Sequence, residues 1–66
     1  MERIEIRSIT ANGEARLQQN KRDLEKEGYR EVPRKDEKDL KFGEYFVNGF
    51  TITYKVRIPE KNGKPL

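Results

Sequence analysis

Sixty-six residues carrying 15 Lys plus Arg and 12 Asp plus Glu, with a net charge of +3, make one small domain at most. The chain has no Cys, His or Trp, which excludes a disulfide framework, a thiolate metal site and a cysteine nucleophile, and removes the commonest general base. Only 32% of the side chains are hydrophobic against 41% charged, so burial and conformational entropy nearly cancel and the isolated fold is expected to be marginal.

Residues 1–10 carry two acids and two bases, and residues 11–29 again sum to zero, so the positive excess is diffuse. Interspersed signs mark ordinary solvated surface, whereas blocks of one sign mark polyelectrolyte-binding arms. No apolar run approaches the roughly 20 residues that span a bilayer, and no signal-peptide pattern opens the chain. Together with the missing cysteines, this leads us to expect a cytoplasmic protein with no membrane partner.

In chain order, Ile4 and Ile6 alternate with Arg3, Glu5 and Arg7, the period-two signature of a strand with one buried face. Ile9 breaks that phase and is read as a staple at a helix entry or a bulge. Residues 11–27 are strong helix formers with Leu17 and Leu24 on one stripe, Thr10 or Asn12 as candidate caps, and Gly28 as a left-handed stop. Residues 29–34 read as a short strand held to an edge by Pro33, and residues 35–41 as an exposed loop with at most one helical turn. Residues 24–32 look like the helix-to-strand junction of many small α+β domains, a likeness that carries over no functional residue.

Asn48-Gly49 is a preferred pair for a two-residue hairpin turn, flanked by residues 44–47 and 50–58. In the second arm Phe50, Ile52, Tyr54, Val56 and Ile58 share one face, and Thr51, Thr53, Lys55 and Arg57 share the other. This places Tyr45 and Val47 inward and Phe46 outward. The expected fold is α+β: a single β-α-β-β-β domain over residues 1–58, one helix on one face of a mostly antiparallel sheet of three or four strands, with a C-terminal hairpin and a flexible tail at residues 59–66. The expected core comprises Ile4, Ile6, Leu17, Leu24, Tyr29, Val32, Tyr45, Val47 and the even positions 50–58.

Chemistry is hard to find. Each acid has a base nearby in sequence, Ser8 has no histidine to activate it, and no glycine pattern cradles a phosphate. We therefore expect a non-enzymatic module with no catalytic residue, cofactor or metal and no small-molecule substrate. The candidate binding surface is the outer sheet face: Arg3, Arg7, Phe46, Thr51, Thr53, Lys55 and Arg57, if the first strand lies beside the last. Through this face and a sheet edge the chain would associate with a protein partner or a second copy of itself. The alternative is nucleic-acid binding, with cations on phosphates and Phe46 stacking on a base.

Overall fold

The two long period-two runs, at the start and the end of the chain, pair with each other. In the computed structural model, which describes residues 2–59, β1 (Glu2–Thr10) lies antiparallel to β4 (Thr51–Pro59) in unbroken register from Glu2 opposite Pro59 to Thr10 opposite Thr51. β4 pairs antiparallel with β3 (Glu44–Asn48), and β3 pairs parallel with the two-residue β2 (Arg30–Glu31). The sheet order is β1-β4-β3-β2, with the single helix α1 (Glu14–Lys26) on one face. The fold is thus the α+β arrangement expected, and the strand order, which sequence left open, places the first and last strands side by side. Of the expected tail at residues 59–66, Pro59 is instead the last residue of β4, paired with Glu2, and residues 60–66 lie outside the described residues.

The helix stop is a Schellman motif. Gly28, at φ 98°, donates its N–H to the Glu25 carbonyl at 3.0 Å, and Tyr29 donates to the Leu24 carbonyl at 3.1 Å. Tyr29 then packs against the cluster that contains Leu24, the hydrophobic contact usual for this motif. The helix start differs from expectation. Gly13 is the N-cap and, having no side chain, makes no side-chain cap bond; the Thr10 hydroxyl pairs instead with Thr51 across the sheet at 2.9 Å.

β2 ends ahead of Pro33 as its sequence requires, after Val32 donates to the Tyr45 carbonyl at 2.8 Å. The parallel step from β2 to β3 needs a connection of about a dozen residues, which residues 32–43 supply with one 3-10 turn, η1 (Glu37–Asp39). The hairpin turn lies one residue later than expected: Asn48 pairs with Thr51, and Gly49 (φ 66°) and Phe50 form the loop. Glycine's tolerance of positive φ thus serves the first loop position. The slip shifts β4 by two residues against β3, so Val47 faces Ile52 and Tyr45 faces Tyr54. A shift of two leaves every side chain on its expected face. Phe50 is the exception: it is in the turn and exposed rather than in the core.

Under the helix, Ala11, Leu17, Leu24, Tyr45 and Ile52 form one buried cluster with Tyr29, Val47 and Tyr54 against it. Tyr29 and Tyr54 meet edge to face, their centroids 5.7 Å apart.

The expected core fails at β1. Ile4 and Ile6 are 48% and 36% exposed and lie opposite Arg57 and Lys55, on the face away from the helix. The strand offers two phases, Ile4 with Ile6 or Ile9 with Ala11, and only one can face the helix. The link from Ala11 to Glu14 is so short that the helix lies over the 9–11 end of the strand. Ala11 is buried there and Ile9 lies opposite the fully buried Ile52, so the phase of Ile4 and Ile6 is turned outward.

Candidate functional site

The same phase choice divides the seven residues of the expected surface. Arg3 and Arg7 lie opposite Ile58 and Tyr54, on the helix side of the sheet, whereas Thr51, Thr53, Lys55 and Arg57 are on the other side. Arg3 and Arg7 flank Glu5, at 2.8 and 3.4 Å from its two carboxylate oxygens. The four cations and hydroxyls of β4 therefore do not converge with the arginines of β1.

Phe46 is on the outer side, opposite Thr53, but only 6% exposed. The crossover between β2 and β3 is anchored on this same face. The neighbouring outward side chain on β3, Glu44, accepts the Lys41 backbone N–H at 3.0 Å and contacts Lys35 at 3.7 Å and Arg30 at 3.2 Å. These bonds hold residues 35–41 over the outer face, and Leu40, expected in an exposed loop, is buried at 1% outside the cluster under the helix. The Lys41 N–H, aided by Lys35 and Arg30, outweighs desolvation and holds the Glu44 carboxyl below the usual range. On the opposite face the Tyr45 phenol donates to Glu25 at 2.5 Å. Burial, reinforced by that bond to a carboxylate, raises its pKa.

Three of the four outward residues of β4 are also engaged. Thr53 pairs with Ser8 at 3.3 Å and Thr51 with Thr10 at 2.9 Å, so these hydroxyls link strands. The Arg57 guanidinium stacks on the Phe42 ring at 4.2 Å from its centroid. A shallow groove of about 360 Å³ lies on the helix side, where α1 leaves part of the β1–β4 ribbon uncovered, with Arg7, Asn20, Asp23 and Glu27 at its rim.

The feature that sequence reasoning treated only generically is the edge of β1. The Ala11 N–H donates to the Phe50 carbonyl at 2.8 Å, which marks residues 11 and 50 as a hydrogen-bonded rung. Continuous alternation from that rung directs the N–H and C=O groups of residues 3, 5, 7 and 9 toward β4. The groups of Ile4, Ile6, Ser8 and Thr10 point the other way, to an edge with no strand beside it among the described residues. The opposite edge of the sheet is two residues long and ends before a proline, a common protection of edges. β1 is nine residues long, has no bulge or proline, and carries the half-exposed Ile4 and Ile6 along its free side. The out-of-phase Ile9 was the available signal that these isoleucines face outward.

No helix among the described residues is long and apolar enough to cross a membrane, and none of their acidic side chains gather into a group that could hold a metal ion. No protein-family model, curated protein or solved structure matches the chain.

Proposed function

We propose that the chain is a non-enzymatic protein-association module that works by adding a strand to the free edge of β1. The observation that carries this reading is the nine-residue edge with outward backbone groups and two half-exposed isoleucines. Main-chain hydrogen bonds to an added strand supply affinity, and the alternating side chains supply specificity. A thin core gains from such association, since anything that binds the folded state alone stabilises it. The nucleic-acid reading has no comparable support, because Arg3 and Arg7 lie on the opposite face from Lys55 and Arg57 and Phe46 is covered.

Position-resolved photo-cross-linking in cells producing the chain tests this. A photoreactive residue at Ile4 or Ser8 is expected to give adducts, whereas one at Arg34 or Lys38, toward the other edge, is not. Ile6→Pro in the same chains should abolish the adducts, since its outward N–H takes no part in the β4 ladder. Adducts spread evenly over all four positions, or none at any, would overturn the edge reading.

A further inference from the structure

We infer that the strand added at β1 is β1 of a second copy, antiparallel and centred on Ile6, so that two chains share one eight-stranded sheet. This rests on the edge reading above and specifies its partner.

Only registers that oppose an even residue of β1 to an even residue of the second copy bring outward N–H groups to outward carbonyls. A two-fold axis then passes through residue 4, 5, 6 or 7. Centring on Glu5 sets the two Glu5 carboxylates face to face and Arg3 against Arg7 of the second copy. Centring on Arg7 sets two guanidinium groups together. Like charges directly opposite each other destabilise a sheet. Centring on Ile4 opposes Arg3 to Glu5 but engages only residues 2–6 of the strand.

Centring on Ile6 engages all of Glu2–Thr10 and opposes Glu5 to Arg7 of the second copy, twice by symmetry. Glu5 already accepts from Arg7 of its own chain at 3.4 Å, so both groups lie on one face and at the right height to exchange partners. Ile6 faces Ile6, and Ile4 faces Ser8, on the outer face where both isoleucines are half-exposed. Both helices fall on the same side of the joined sheet, because the axis runs perpendicular to it.

The chain has no cysteine, so an introduced one is unique. Ile6→Cys under mild oxidation should give a covalent dimer, since opposed residues on a hydrogen-bonded rung have Cα atoms about 5.5 Å apart, within disulfide range. Ile4→Cys alone should not, but a mixture of Ile4→Cys and Ser8→Cys chains should give the crossed dimer. Sedimentation equilibrium of the unmodified chain should show dimer at about 100 μM, as expected of a small interface. Glu5→Arg should lower the dimer fraction, and adding Arg7→Glu should restore it, with both variants retaining the native circular dichroism spectrum. A monomer up to millimolar concentration, or an Ile4→Cys chain that cross-links to itself as readily as the Ile6→Cys chain, would overturn this inference. If the unmodified chain stays monomeric while Ile4 and Ser8 positions still cross-link to a different protein in cells, the edge reading stands and only the second copy as its partner falls.

Discussion

Glu44 is the side chain on which the outer face depends. A carboxylate on a strand would ordinarily face water, but this one is buried, bound to the covering segment through the Lys41 N–H and Lys35 and to β2 through Arg30. Its pKa is lowered on folding, so its stabilisation is complete above the ordinary value of 4.5 and lost as pH falls through the lower folded value. Urea unfolding at pH 7 and pH 3 should show a drop in midpoint at the lower pH, and Glu44→Gln should flatten that difference. Tyr45 has the opposite sign. Its raised pKa favours the neutral phenol, so its contribution is complete below the ordinary value of 10.0 and lost as pH rises beyond it. Tyr45→Phe should cost about 1.5–3 kcal/mol at pH 7, the usual range for a hydrogen bond to a charged group, and remove that alkaline loss.

At the scale of elements, two short segments contribute more than their length suggests. The helix stop requires Gly28 at φ 98°, and a Cβ there would meet nothing within 4 Å, so Gly28→Ala tests backbone strain alone. The expected cost is about 1 kcal/mol, read as a shift in the urea midpoint at constant slope. The crossover at residues 32–43 has almost no regular structure, yet Leu40 in it is more deeply buried than Leu17 or Leu24 of the helix. Leu40→Ala should therefore cost about 2–4 kcal/mol, typical of a core cavity, whereas an exposed loop leucine would cost almost nothing. A measured change below about 0.5 kcal/mol would contradict the covering role of this segment.

At the scale of the molecule, the sheet runs from a protected edge to an open one. The chain steps across the sheet from β1 to β2 with the helix on one face, then steps back from β2 to β3 with the crossover on the other. Connections of one hand that run in opposite directions must lie on opposite faces, so both obey the same handedness rule. The result is a sheet covered on both faces at its β3 side and left open at β1. In dilute solution, amide hydrogen exchange along β1 should alternate: residues 5, 7 and 9 protected by the β4 ladder, residues 4, 6, 8 and 10 exchanging fast. Raising the chain concentration should protect the even set if a second copy adds its strand there.

The strand alternation of residues 51–58, the Leu17–Leu24 stripe, the Gly28 stop and the Pro33 strand end were all legible from residues alone, because each is set by neighbours within a turn or a strand period. Alternation also placed Tyr45, Val47, Ile52 and Tyr54 correctly under the helix, even though the turn lies one residue off. What residues could not settle was the choice between two equally plausible phases of β1. That depended on where a helix starting at Glu14 comes to rest, which turned Ile4 and Ile6 outward and separated Arg3 and Arg7 from Lys55 and Arg57. Nor could a run of charges around one leucine reveal that Leu40 and Phe46 are buried. Local sequence carries the period of a strand, but which face is wet is decided by what packs on it, and here two connections from distant parts of the chain made that decision.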